Sequence, residues 1–127
     1  MDYERVMDKA GRRLIFFGPY AGLAGAINAI WLLGERLEVE GIKNPFSILK
    51  QAKTYQSLSD AKNALSEVKR KIEKAGLPQT GKPWVIVITG KGTVSKGAQE
   101  IIDLLPVEEI SPVRYLELQQ NKNFDFQ

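Results

Sequence analysis

Three patterns of hydrophobic and polar positions divide the chain. The first is an uncharged apolar run, "LIFFGPYAGLAGAINAIWLL", from Leu14 to Leu33, with Arg12 and Arg13 just before it. The second is periodic. Leu58, Ala61, Leu65, Val68, Ile72 and Ala75 recur at steps of three and four, which predicts an amphipathic helix. The third is a block, "WVIVIT", from Trp84 to Thr89, apolar and rich in β-branched residues without alternation. Such a block predicts a strand covered on both faces, as in a parallel sheet between helical layers.

Punctuation residues set the boundaries. The charged opening, Met1 to Arg13, reads as a frayed entry segment. Pro19 sets a helix start, and that helix continues through "GERLEVEG" to a C-cap glycine at Gly41. Asn44 can cap a following short amphipathic helix with Pro45 in its first position and Phe46, Leu49, Ala52 and Tyr55 on one face. Ser57 and Asp60 make a capping box for the periodic helix, which Gly76 and Pro78 end. "PQTGKP", Pro78 to Pro83, is a turn-rich linker into the apolar block. Beyond the next glycines, Val94, Ala98, Ile101 and Leu105 mark one face of a helix ending before Pro106. "VEEI", Val107 to Ile110, predicts a second strand, "SPVRYLEL" starts another helix, and the tail from Gln119 is polar and loose. The fold class expected is therefore α/β: helical over its first two-thirds, then a partial Rossmann-like β-α-β unit with a short parallel sheet.

The run from Leu14 to Leu33 is long enough for a membrane span, and the two arginines with "AGLAGA" resemble a secretion signal. Gly18-x-x-x-Gly22 would also suit close helix packing in lipid. Against this, Pro19 leaves only Tyr20 to Leu33 as a continuous helix, Asn28 places an amide that lipid cannot satisfy, and Gly and Ala dominate. A helix apolar all round is equally the mark of one buried between layers. The expectation is a chain without a membrane span, located in the cytoplasm.

Charge and composition narrow the chemistry. The 127 residues are 43% hydrophobic and 26% charged, with a formal net charge of +3, an ordinary balance for a globular domain. Lys62, Lys69, Arg70, Lys71 and Lys74 make one helix face basic, but no aromatics are interleaved to stack bases. Lysines toward a helix C-terminus complement its dipole, so no nucleic-acid partner is expected. There is no Cys and no His. Disulfides, thiol nucleophiles and thiolate metal sites are excluded, and the usual acid–base group near neutral pH is missing. No metal site is expected.

What remains is the glycine turn in "VIVITGKGTVSKGAQEII", Val85 to Ile102. A strand feeding a helix through a tight turn gathers unpaired amide N–H groups at the positive end of the helix dipole. Gly90-Lys91-Gly92 supplies the first two glycines of a dinucleotide fingerprint, and Ser95 stands where the third belongs. Gly97 and Ala98 just beyond keep the first helical turn slim. A Walker A loop cannot be aligned here without losing its Lys and hydroxyl. In this reading Gly90 and Gly92 permit close approach, and the amides of Thr93, Val94 and Ser95 donate to a diphosphate. Thr93 Oγ adds a further bond, and Lys91 screens phosphate charge or, like Lys96, is simply solvated. An acidic residue about twenty positions on would hold the ribose 2′-hydroxyl of NAD. Ser111 occupies the expected strand end with Arg114 close behind, a hydroxyl and a guanidinium that lean toward the 2′-phosphate of NADP. Glu109 could serve NAD instead if the strand ends earlier.

The stretches "GRRLIFFGPYAGLAGAINAIWLLGERL", "NPF", "WVIVITGKGTVSKGAQEIIDLLP" and "EEISP" together resemble the saccharopine-forming lysine–2-oxoglutarate reductase family, within the wider alanine dehydrogenase and transhydrogenase superfamily. The resemblance runs from Tyr3 to about Pro112. It implies an NAD(P)-dependent oxidoreductase that reduces an imine made from an amino acid and a 2-oxo acid. It also implies that Gly18 to Gly34 matches an interdomain helix beside the cleft, and that Gly90, Gly92, Val94 and Ser95 line the cofactor diphosphate. On this basis residues 1–82 are expected to be a helical hinge region and 83–127 a partial dinucleotide-binding unit. The family places its substrate-binding and proton-transfer groups in a preceding domain, so the chain reads as an internal slice, inactive alone and without a catalytic residue. Expected partners are the dinucleotide, a further copy in a homo-oligomer, and a catalytic domain on another chain. Two other readings stand beside this one: a non-catalytic interaction fragment associating through an exposed sheet edge, and a small membrane-attached protein using Leu14 to Leu33.

Overall fold

The computed structural model describes residues 2–79 and 83–121, and the described chain is helical. Four helices carry it: α1 (Gly18–Val39), α2 (Leu58–Ala75), α3 (Thr93–Ile102) and α4 (Pro112–Asn121). Short 3₁₀ turns at Tyr3–Arg5, Pro45–Ile48 and Ala52–Thr54 complete the regular structure. The expectations for Thr80–Lys82 in the linker and for the tail from residue 122 lie outside the described residues.

Helix α1 begins where Pro19 allows it, with the ring in the first turn, where its missing N–H removes no helical bond. It ends as Gly41 adopts φ +74° just past the C-cap, Glu40. The segment after Asn44 is not one amphipathic helix. The Asn44 side chain caps Phe46 N–H at 2.9 Å, but the chain is extended again at Leu49, and a separate 3₁₀ turn follows at Ala52. Two outside bonds hold this path. Asn28 Oδ1 accepts from Ala52 N–H at 2.8 Å, and Asn44 Nδ2 donates to the Gly34 carbonyl at 3.2 Å. The amide that argued against lipid thus anchors a loop to α1. Ser57 caps α2 as its sequence predicts: its hydroxyl accepts from Asp60 N–H at 3.1 Å and donates to Asp60 Oδ2 at 2.8 Å.

The core is built on α1. Leu23, Ala26, Ile27, Ile30 and Leu37 of α1 join Phe46, Leu49, Ala61, Leu65, Val68, Ile101 and Leu105 in one buried cluster. Leu65, Val68 and Ile101 are the most deeply enclosed of these. The principal contact in the molecule is α1 against α3, so one core spans the stretches on both sides of residue 82. Within α1, Gly34 meets Phe46 so closely that a Cβ there would lie 2.9 Å from Phe46 Cβ.

The expected sheet is absent. Among the described residues the only β-pairing is an isolated antiparallel bridge between Met7 and Arg13, and the Rossmann-like β-α-β unit is not formed. Trp84–Thr89 and Val107–Ile110 are both outside regular structure. The reason is visible in the packing. Helix α3 lies on α1 instead of folding back over the apolar block, and Val85–Ile88 are left exposed, Val87 by 76%. Trp84 alone is held, its indole N–H donating to the Pro78 carbonyl at 3.0 Å. Two short extended segments without a third neighbour make a marginal sheet at best.

The opening segment is more ordered than its composition suggests. The Asp8 carboxylate accepts from Ala10 N–H, Arg12 N–H and Arg12 Nε at 2.8, 2.9 and 2.8 Å, closing a loop beside the Met7–Arg13 bridge.

Candidate functional site

The turn that sequence singles out does form. Gly90 has φ +83°, a left-handed conformation that only glycine adopts without strain, and it redirects the chain into α3. Gly92 is the N-cap of α3, with φ −82° and ψ −175°. That is extended backbone open to any residue. A Cβ built on Gly92 meets nothing within 4 Å. The two glycines therefore differ: Gly90 is required by geometry, whereas Gly92 leaves free space over the helix start.

No side chain caps α3. Its first internal bond runs from Lys96 N–H to the Gly92 carbonyl at 3.1 Å, and Ser95 Oγ donates to the same carbonyl at 3.1 Å. The amides of Thr93, Val94 and Ser95 are thus the first-turn donors that a helix leaves without intrahelical partners. Ser57 shows the contrast at α2, where a hydroxyl occupies that role. Lys91 and Lys96 are both exposed beside the turn. The arrangement offers backbone donors and the positive end of a helix dipole beside an open space, with two exposed lysines nearby in sequence, the chemistry of an anion cradle.

Thr93 and Val94 are held from behind by α1. A Cβ on Gly18 would fall on Thr93 Oγ1, and one on Gly22 would fall on the Val94 carbonyl oxygen and 2.8 Å from Ala98 N. A Cβ on Gly97 would in turn reach the Pro19 carbonyl, with Pro19 C at 3.0 Å. The slim first turn of α3 is therefore used against a helix and not against a strand. The Gly18-x-x-x-Gly22 spacing, which would suit close packing in lipid, here serves packing of α1 against α3. The usable signal was that Gly97 and Ala98 carry the same small-residue signature on the opposing helix.

Ser111 and Arg114 lie at the start of α4. Ser111 Oγ accepts from Arg114 N–H at 3.1 Å, which caps that helix, and the Arg114 guanidinium donates to Glu117 at 3.3 Å. Both are engaged at the start of α4, which has no buried residue among those described. Helix α2 is tied to α3 by an ion pair, Lys62 Nζ to Glu100 Oε1 at 2.6 Å, so one lysine of the basic face serves packing. No cluster of acidic side chains able to hold a metal ion occurs among the described residues. No helix among them is long and apolar enough to cross a membrane.

No family model matches the chain. Individual relatives do. It is 43% identical over 117 residues to the alpha-aminoadipic semialdehyde synthase of Arabidopsis thaliana, covering 92% of this chain and 11% of that protein. It is 38% identical over 121 residues to the mitochondrial alpha-aminoadipic semialdehyde synthase of Bos taurus, covering 95% of this chain and 13% of the relative. The protein of the same name in Mus musculus is 39% identical over 112 residues, covering 88% and 12%. The resemblance read from the motifs is borne out, as a likeness to one stretch of lysine–2-oxoglutarate reductase/saccharopine dehydrogenase synthases. The chain spans roughly an eighth of the length of these relatives.

Proposed function

From its likeness to one stretch of the semialdehyde synthases, we propose that this chain is the diphosphate-binding segment of a lysine-degrading, NAD(P)-dependent oxidoreductase. The observation that carries the reading is Gly92, a glycine demanded neither by its dihedral angles nor by any neighbour, standing open at an uncapped helix start. Clearance for a ligand gives it a purpose. Gly90 shapes the turn, the amides of Thr93, Val94 and Ser95 donate to the diphosphate, and Lys91 balances phosphate charge; Thr93 Oγ1 faces Gly18 of α1 and must turn away from it to add a bond. When bound, the nicotinamide would supply the hydride that reduces an imine formed from an amino acid and a 2-oxo acid. This chain's own residues bind and orient, and none is assigned a catalytic role. The preference between NADP and NAD rests on Ser111 and Arg114, and Arg114 must leave Glu117 to meet a 2′-phosphate.

The test is a titration of purified chain with NADPH and NADH, followed through Trp84 fluorescence. Saturable binding, tighter for NADPH, is expected. Gly92→Val should weaken it at least tenfold while the far-ultraviolet circular dichroism stays unchanged, because the added side chain enters open space. Absence of binding, or binding indifferent to Gly92→Val, would refute the assignment.

The exposed run Val85–Ile88 supports a second, compatible reading: the chain works in an assembly, with a further copy or with a separate chain that bears the substrate-binding groups. Two of the relatives are named as mitochondrial proteins, which gives the cytoplasmic expectation no support.

A further inference from the structure

We propose that α1 is the element that positions the nucleotide-binding turn, and that Gly18 and Gly22 are positioning residues acting through Thr93 and Val94. The inference rests on the cofactor reading above, and goes beyond it by transferring control of the cradle from a strand to a helix. Among the described residues no sheet fixes Thr89 and Gly90, and Val85–Ile88 leading to them are exposed. What fixes the first turn of α3 is a three-point interlock. Gly18 admits Thr93 Oγ1, Gly22 admits the Val94 carbonyl and the Ala98 amide, and Gly97 admits the Pro19 carbonyl. At each point a Cβ would come closer than 3.0 Å, a separation real Cβ atoms essentially never show. Two of the three contacts are made to backbone, which cannot rotate away as a side-chain end can.

The contacts run in register along both helices. Gly18 faces Thr93, Gly22 faces Val94 and Ala98, and the two amino termini lie together. Any tilt or slide of α1 therefore carries the amides of Thr93, Val94 and Ser95 with it. Gly25 supplies the internal control. It lies on the same helix, is exposed, and would present a Cβ to nothing within 4 Å. Its substitution by Ala changes helix propensity without touching α3.

The experiment compares wild type, Gly18→Ala, Gly22→Ala, Gly25→Ala, Thr93→Ala and the Gly18→Ala/Thr93→Ala double variant. Amide hydrogen exchange of Thr93–Lys96 and NADPH affinity are read on each. The expected result is faster exchange at those amides and at least tenfold weaker NADPH binding for Gly18→Ala and Gly22→Ala, with Gly25→Ala like wild type. Because the closest atom opposing Gly18 is a side-chain oxygen, with Thr93 Cβ behind it at 3.1 Å, Thr93→Ala should relieve most of the further effect of Gly18→Ala. A generally destabilising alanine would not be rescued in this way. If Gly22→Ala fails to fold, the Gly18/Thr93 pair decides the matter. Gly18→Ala behaving as Gly25→Ala does, or keeping its full effect in the Thr93→Ala background, would overturn the proposal. If wild type binds no NADPH yet the exchange pattern and its rescue appear, the cofactor reading fails while the positioning role stands.

Discussion

At the residue scale, each glycine among the described residues falls into one of three groups, and dihedral angle with surroundings separates them. Gly11, Gly41, Gly76 and Gly90 hold positive φ in open space. Gly18, Gly22, Gly34 and Gly97 are filled against by neighbours, and Gly25 and Gly92 have neither constraint, Gly92 alone of the two standing at a helix start. Gly34→Ala should accordingly destabilise the chain by roughly 1–3 kcal/mol, the range for overpacking a tight contact, measured as a lower urea midpoint. Asp8 makes a different prediction. Bonds from the Arg12 backbone amide, and then from its guanidinium, lower the Asp8 pKa from the ordinary 3.8. A depressed folded-state pKa means that the loop's contribution is complete above 3.8 and is lost as pH falls through the lower folded value. The Arg12 amide resonance should therefore titrate below pH 3.8, and Asp8→Asn should remove that titration. An Arg12 amide that titrates above 3.8 would contradict the capped loop.

At the element scale, the helices were legible because their signals are local. Ser57 with Asp60, the step-of-three-and-four stripe, and Pro19 and Gly41 at the ends of α1 each act within a turn or two of their own sequence. Leu65→Ala should cost about 2–5 kcal/mol, since Leu65 is wholly enclosed in the core cluster, and Ser57→Ala about 1 kcal/mol through the lost cap. Urea denaturation of the two variants checks both magnitudes and their order. The block "WVIVIT" shows why strands were not legible. Its β-branched residues announce a strand suited to burial on both faces, but a strand exists only with a ladder partner, and partners are non-local. The structure supplies none among the described residues and leaves Ile86 52% exposed. The broken 3₁₀ path after Asn44 was hidden for a related reason: it depends on Asn28 and Gly34, 24 and 10 residues away.

At the scale of the whole molecule, α1 is the centre of the core. It supplies five of the buried core side chains, holds the loop after Asn44, and carries the amino end of α3. The turn itself was readable from Gly90, Gly92 and the helix after them. The partner of that helix was not, because Gly18-x-x-x-Gly22 and Gly97-Ala98 each look ordinary until the two are brought together. The exposed apolar run makes a prediction of its own. Sedimentation of the chain should show concentration-dependent association through Val85–Ile88, reduced by Val87→Asp, whereas a monomer at all concentrations would remove the assembly reading.

The central claim is that a dinucleotide diphosphate sits over Gly92 at the start of α3. The most direct measurement is a residue-resolved NMR titration of the chain with NADPH. The account predicts saturable shifts centred on the backbone amides of Gly92, Thr93, Val94 and Ser95, with smaller ones at Gly18 and Pro19's neighbours across the helix contact, all lost in Gly92→Val. Shifts confined to other surfaces, such as the lysines at the end of α2, or no shifts at saturating NADPH, would contradict it.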